Sequence, residues 1–343
     1  MTIETKSYIP GVFLTRMEAP EAGVSVETLN LGATIRAFFA PDREGQQADI
    51  ILGHEGEDCR GRGYAAAIIG RCANRIDDAC YTYKGRTVEL EKNYLDKSIL
   101  HGGSGNYANR LFDWREERLE GGVRVVYTCT DRGEGGFPGE VAVEASYTLW
   151  KDGMLTMALE AVAQEDTPLN LTNHGYFNLA GHDSGSVDEH VLQINADFFL
   201  PACSDATPTG EILSVEGTGF DFRKPRKIGD GIAQNDPQYA LLGTYDHNFC
   251  LAGTGLREAM MAYEPMSGRR LTIYTDLPGA QLYLPTGWPS APGKGGVHYG
   301  VHQGFAFETQ GFPNAPKFSQ FPSVFVDAGQ RYRSVTSWRI DIV

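Results

Sequence analysis

Apolar and polar residues alternate along this chain in short runs, the period-two pattern of strands that bury one face. Val24-Ser25-Val26-Glu27-Thr28-Leu29 and Thr34-Ile35-Arg36-Ala37-Phe38-Phe39 are two such runs, separated by Asn30-Leu31-Gly32-Ala33. Residues 123–130 predict another strand, stopped by Asp131-Arg132-Gly133-Glu134-Gly135-Gly136. The clearest hairpin runs from Val141 to Trp150, turns at Lys151-Asp152-Gly153 and returns over residues 154–162. Asp-Gly supplies the positive φ angles that a tight hairpin turn requires. Further strands are predicted at 190–199, 271–275, 281–284, 323–326 and 334–340. No long helical period is present; short helical turns are expected at 64–69 and after Leu256. Turn signals return about every 8–12 residues, which predicts an all-β fold, a sandwich or a barrel. No repeat or low-complexity linker interrupts the pattern, so a single domain over residues 1–343 is expected.

Composition narrows the partners. The chain is 41% hydrophobic and 22% charged, a soluble globular balance, and its 41 Gly and 17 Pro favour many turns. Thirty basic against 44 acidic residues give a net charge of −14. That disfavours nonspecific binding to nucleic acid or to an anionic membrane, and leaves a neutral solute such as a sugar open. The six cysteines (Cys59, Cys72, Cys80, Cys129, Cys203 and Cys250) form no CxxC pair and no zinc-finger spacing. They read as reduced thiols of a cytoplasmic protein. The N-terminal ten residues contain no apolar signal-peptide core, and Ala65-Ala66-Ala67-Ile68-Ile69 is too short to span a bilayer.

Several motifs fail on inspection. Gly293-Lys294-Gly295-Gly296 lacks the first Gly and the Ser/Thr of a phosphate loop, and reads as a loose loop. Gly61-Arg62-Gly63 is not followed by a third Gly at the dinucleotide-binding spacing. His298 and His302 lack a metalloprotease glutamate and read as surface residues, and no GxSxG is present.

The chemistry-bearing residue that remains is Glu308, in Phe305-Ala306-Phe307-Glu308-Thr309-Gln310-Gly311. Its flanks predict a buried strand, where a carboxylate must be paired, hydrogen-bonded or used. Asn170-Leu171-Thr172-Asn173-His174-Gly175-Tyr176 sets an imidazole among polar side chains. A carboxylate and an imidazole suit a general base working with a general acid, although a strand Glu is more often a structural ion-pair partner and a lone His a core residue. Four more clusters place polar side chains beside glycines or aromatics: Gly70-Arg71-Cys72-Ala73-Asn74-Arg75, Leu100-His101-Gly102-Gly103, Thr244-Tyr245-Asp246-His247, and Pro278-Gly279-Ala280-Gln281-Leu282-Tyr283. Such a set fits a polyol, with polar groups for its hydroxyls and rings for its C–H faces.

In this order the clusters resemble the aldose 1-epimerase (galactose mutarotase) family over most of the chain, and Gly136-Phe137-Pro138-Gly139-Glu140 also fits that family's pattern. The resemblance implies a large antiparallel β-sandwich, no cofactor, no required metal and a monosaccharide substrate. Glu308 matches the family's general base, His174 its general acid and His101 a second site histidine. Asn74, Arg75, Asp246 and Gln281 match its sugar-binding positions. With acid and base adjacent, an ionised Glu308 beside a protonated His174 is the expected state. Two departures stand out: Gly175 replaces a common Ser, giving a looser neighbour for His174, and Leu284-Pro285-Thr286-Gly287-Trp288 replaces the usual Thr-Gly-Asn after the tyrosine. The alternatives are a non-catalytic carbohydrate-binding protein, an epimerase of another sugar, and a glycoside hydrolase. The last needs two carboxylates, with only Asp246 available to partner Glu308. The sequence leaves monomer and homodimer, and the preferred aldose, open.

Overall fold

Antiparallel sheets carry most of the chain in the computed structural model, which describes residues 1–61, 63–288 and 292–343. Arg62 of the Gly61-Arg62-Gly63 run therefore lies outside the described residues. The largest sheet has nine strands. Asp113–Leu119, Gly122–Asp131, Val141–Trp150 and Leu155–Ala163 follow as a meander, then the C-terminal Arg331–Ile342, then Arg269–Thr275, Arg257–Tyr263, Val191–Ile194 and Arg226–Lys227. Placing the C-terminal strand between Leu155–Ala163 and Arg269–Thr275 ties the two halves of the chain together. Alternate residues of the central hairpin, Val141, Val143, Ala145, Tyr147 and Leu149, face the main core with Leu155, Met157, Leu159 and Ala161. Each Val, Leu and Met side chain among them contributes about 1.5–3 kcal/mol on burial.

A five-stranded sheet is formed by the first 49 residues, from Thr2–Ile9 to Gln47–Asp49 in chain order. A six-stranded sheet bears most directly on function: Tyr176–Phe177, Phe305–Gln310, Gly279–Tyr283, Asp246–Cys250, Phe198–Phe199 and Leu213–Ser214. Phe305 and Phe307 point from it into the main core. The pleat therefore turns Ala306, Glu308 and Gln310 to the opposite face.

The all-β expectation holds, and most of the predicted strands appear within a residue or two. The hairpin turn differs in detail. Only Gly153 has a positive φ, and its N–H donates to the Trp150 carbonyl while Trp150 N–H donates to Met154, so the loop has three residues and needs one left-handed position. Residues 190–199 divide between two sheets, as Val191–Ile194 and Phe198–Phe199. The region after Leu256 is the strand Arg257–Tyr263, where packing against Arg269–Thr275 overrides the helical tendency of Arg, Glu, Ala and Met. Only Phe325–Val326 of 323–326 is paired, and 64–69 is a turn leading into the strand Ile68–Ile69. Two short helices were unforeseen, Ile228–Ala233 and Pro237–Leu242. The second is capped by Asp236, whose side chain accepts from Gln238 N–H, and by left-handed Gly243.

Lys294 overturns the expectation of a loose loop. It is 4% exposed, and its ammonium donates to Asp49 Oδ2 at 2.5 Å and to the carbonyls of Arg36 and Ile51. Three oxygen acceptors fill the donor capacity of one ammonium, so the charge is satisfied inside the protein and the 293–296 loop is pinned to the N-terminal sheet.

Candidate active site

Four strands of the six-stranded sheet lay side chains in two rows on one face. Glu308 lies opposite Gln281, and Gln281 opposite Asn248. One pleat away, Tyr176, Ala306, Tyr283 and Asp246 form the neighbouring row. The sequence spacing Gln281-Leu-Tyr283, Asp246-His-Asn248 and Ala306-Phe-Glu308 thus encodes one functional face, with Leu282 and Phe307 in the core between.

His174 reaches this face from the segment after the short strand Thr172–Asn173, which pairs with Ile68–Ile69. Its backbone is held on both sides: His174 N–H donates to Ala67 O and its carbonyl accepts from Ala66 N–H. Asn173 Nδ2 adds a bond to Ala66 O at 2.7 Å. A Cβ on Gly175 would stand 3.1 Å from Asn173 Oδ1 and 3.2 Å from the Phe177 ring. This position is tightly filled, and the looser neighbour expected there is not observed. The imidazole lies against Tyr176, its ring centroid 4.8 Å away, stacks on Tyr64 at 6.2 Å and meets Tyr283 edge-on.

Asn74, Arg75 and His101 come from a second layer, where Arg75–Ile76 pairs with Ile99–Leu100. The turn clasps itself: His101 N–H donates to Asn74 O, and Asn74 N–H donates to His101 Nδ1 at 3.1 Å. An Nδ1 that accepts is unprotonated, so the ring's proton sits on Nε2 and His101 is a donor toward the site. Gly102 is required behind it, because its φ is +82° and a Cβ would collide with the Gly70 carbonyl. Arg75 donates to Asp246 Oδ2 at 3.3 Å, and Gln281 Nε2 donates to Asp246 Oδ1 at 2.6 Å. Both oxygens of Asp246 are therefore engaged.

All seven residues singled out in the sequence share this cluster. His174 Nε2 stands 3.4 Å from Glu308 Oε1, and one donor atom each of His101, His174 and Glu308 lie within 4.8 Å of one another. His101 Nε2 carries its proton, which suits hydrogen-bond donation rather than metal ligation. The side chains of His174 and Glu308 are 5% and 3% exposed, and Glu308 Oε2 and His174 Nδ1 have no hydrogen-bond partner among the described residues. Burial drives the electrostatics. Desolvation pushes the Glu308 carboxyl well above its ordinary value, helped by the Asp246 charge and opposed by Arg75. Desolvation likewise pushes the His174 imidazole down to about 4 and His101 well below 6.5. Burial therefore works against the expected ion pair, favouring the neutral carboxyl and the neutral imidazole, the forms in which the pair shares one exchangeable proton.

Arg71, His298 and His302 lie away from this cluster. Arg71 is buried on Asp131 at 2.8 Å and donates to the Pro138 and Gly139 carbonyls, which explains the Gly136–Glu140 pattern structurally. His302 bonds Asp188 Oδ1 at 3.0 Å, and His298 is exposed. The aromatic rings expected for a polyol's C–H faces are present, on residues that were not named individually. Tyr64, Tyr176 and Tyr283 frame His174, and Trp288, from the departing loop, packs 5.2 Å from Tyr176. Their signal in the sequence is an aromatic two residues from His174 and from Gln281.

The chain matches the aldose 1-epimerase family over residues 15–339. It is 38% identical over 321 residues to galactose mutarotase of Bos taurus, covering 92% of this chain and 91% of the other. It is 32% identical over 324 residues to the aldose 1-epimerase of Escherichia coli K12, covering 93% and 92%. Among solved structures, galactose 1-epimerase of Lactobacillus acidophilus superposes with a TM-score of 0.85 at 27% identity over 99% of this chain and 98% of that one. An aldose epimerase homologue from C. elegans gives 0.86 at 26% over 99% and 100%.

Proposed function

The chain belongs to the aldose 1-epimerase family, and from that membership we propose how it interconverts the α and β anomers of a free aldose: Glu308 acts as base and His174 as acid. The observation that carries the assignment is the 3.4 Å approach of His174 Nε2 to Glu308 Oε1 in a polar pocket walled by tyrosines. The C1 hydroxyl oxygen and the ring oxygen are bonded to one carbon, so a base and an acid that address them must be neighbours.

Glu308 takes the C1 hydroxyl proton while His174 delivers one to the ring oxygen; the C1–ring-oxygen bond breaks and leaves the open-chain aldehyde. Rotation about C1–C2 presents the other face, and closure returns both protons. Each transfer contributes about 10²–10⁴-fold. The shared proton makes this economical: moving it from Glu308 to His174 creates base and acid together, with no net uptake. The Nε2–H of His101 donates to a sugar oxygen, and Asn74, Arg75, Asp246 and Gln281 hold the hydroxyls so that C1 meets the pair. Among the described residues the basic side chain beside the pair is Arg75, already bound to Asp246, which favours an unphosphorylated sugar. A carbohydrate-binding protein without activity would not need a carboxyl buried against an imidazole, a costly arrangement unless used.

Polarimetry of freshly dissolved α-glucose and α-galactose tests the proposal. Faster approach to the equilibrium rotation, without redox cofactor, is expected; binding with no acceleration would overturn it.

A further inference from the structure

The acid–base reading leaves one requirement unmet. Glu308 must become a carboxylate during the reaction, yet Oε2 faces no donor in a site that disfavours its charge. The groups around it are His174 and His101, Asp246 and Arg75, and the phenols of Tyr176 and Tyr283. None of these donates to Oε2. A bound sugar supplies a hydroxyl at one oxygen, and the second must be satisfied from within the protein.

The sheet provides a source. Gln310 follows Glu308 by two residues and so points to the same face. It lies opposite Gly279, which has no side chain to cover it, and Gly279 in turn lies opposite Cys250. Gln310 is fully buried, yet neither its Nε2 nor its Oε1 has a partner among the described residues. Asn248 leans into the same place: a Cβ on Gly279 would stand 2.9 Å from both ends of the Asn248 amide. Asn248 Oδ1 and Gln281 Oε1 are also buried and unpartnered. With Glu308 Oε2 this makes five polar atoms without partners on one face of three adjoining strands. Buried polar groups with no partner are costly, so a cluster of them marks a place where something polar is held. Successive same-face positions on a strand are about 6.7 Å apart, which is longer than one hydrogen bond and matches two bonds through a water.

We propose that Gln310 is a positioning residue for Glu308: its carboxamide, with that of Asn248, holds ordered water that donates to the second carboxylate oxygen when Glu308 ionises. Internal waters take two to four such bonds, and the five atoms supply them. Gln310 Nε2 donates to the water, and the water's two protons go to Glu308 Oε2 and to an amide oxygen of Asn248 or Gln281. The proposal rests on the acid–base reading of Glu308.

Gln310→Met tests it, since methionine keeps the length and removes the polar ends. Losing a donor to the carboxylate raises the cost of ionising Glu308 and draws the shared proton back onto it. Where the pair holds one proton, kcat/KM falls about tenfold for each unit by which the carboxyl rises. Above the pH at which the pair loses that proton, activity depends only on the imidazole, so variant and wild type converge. The expected result is a deficit of about tenfold near neutral pH that narrows as pH rises, with KM little changed. A deficit constant with pH, or none, would overturn the inference. The wild-type protein gives an independent check at high crystallographic resolution: a water within hydrogen-bonding distance of both the Gln310 amide and Glu308 Oε2 is expected. A Gln310 amide bonded only to protein would refute it. Failure of the wild type to accelerate mutarotation would sink the reading of Glu308, and the water positions would still decide this inference.

Discussion

Replacing Glu308 by glutamine changes one group and leaves volume and polarity nearly intact. Removing a general base costs about 10²–10⁴-fold, and the structure selects the upper part of that range. No other group in the cluster is free to take the C1 proton. Asp246 has Oδ2 on Arg75 and Oδ1 on Gln281. His101 Nδ1 accepts from Asn74 N–H, and His174 is assigned the proton-donor role in the proposed mechanism. A loss of about 10³-fold or more in kcat/KM is expected, equivalent to about 4 kcal/mol of transition-state stabilisation. Stability moves in the opposite direction. The Glu308 carboxyl is raised in the folded state by desolvation. Its contribution is complete below the unfolded value near 4.5 and is lost as pH rises toward the folded one. Glutamine carries no such proton, so Glu308→Gln should gain on the wild type in urea unfolding as pH rises from about 4.5 to 8. Polarimetric mutarotation and urea titrations at several pH values report the two effects. A folded variant retaining a tenth of wild-type activity, or a stability difference that ignores pH, would refute the reasoning.

Other perturbations probe the supporting structure. Asp246→Asn breaks the ion pair that holds Arg75 and should raise KM about tenfold or more, with a smaller effect on kcat, in initial-rate assays. Gly102→Ala forces a side chain into a left-handed position against the Gly70 carbonyl. It should destabilise the protein by more than about 2 kcal/mol in chemical unfolding. His174, His190 and His247 are each depressed to about 4 by burial. Folded-state values below the unfolded one mean that their stabilising contribution is whole above about 6.5 and disappears as pH falls toward 4. Urea unfolding at pH 7 and pH 4.5 should differ by several kcal/mol.

The strands that build the site were legible because alternation survives in them. Phe305, Phe307 and the intervening Ala306 and Glu308 announce a strand with one apolar face, and the same holds for 141–150. The seven site residues were legible through their family pattern, and period two places Glu308, Gln281 and Asn248 on one face once the strand order is known. That order was not readable: nothing local says that Asp246–Cys250 lies beside Gly279–Tyr283, or that Arg331–Ile342 inserts beside Leu155–Ala163. The desolvation that opposes the ion pair was not readable, because proximity is visible in a motif and burial is not. Lys294 was misjudged for the same reason. Its glycine neighbours suggested exposure, whereas its acceptors come from residues more than 240 positions away.

The account stands on His174 and Glu308 acting in one step on two oxygens of the same carbon. Anomer-exchange NMR of an equilibrated aldose, in which enzyme changes exchange rate and leaves the anomer ratio alone, measures that step for the wild type, Glu308→Gln, His174→Asn and the double variant. Groups that act as a unit are not additive. Each single change should therefore remove about 10³-fold, and the double should be slower than the worse single by less than about tenfold. Losses that multiply toward about 10⁶ would mean two independent contributions, and would contradict a proton shared by this pair.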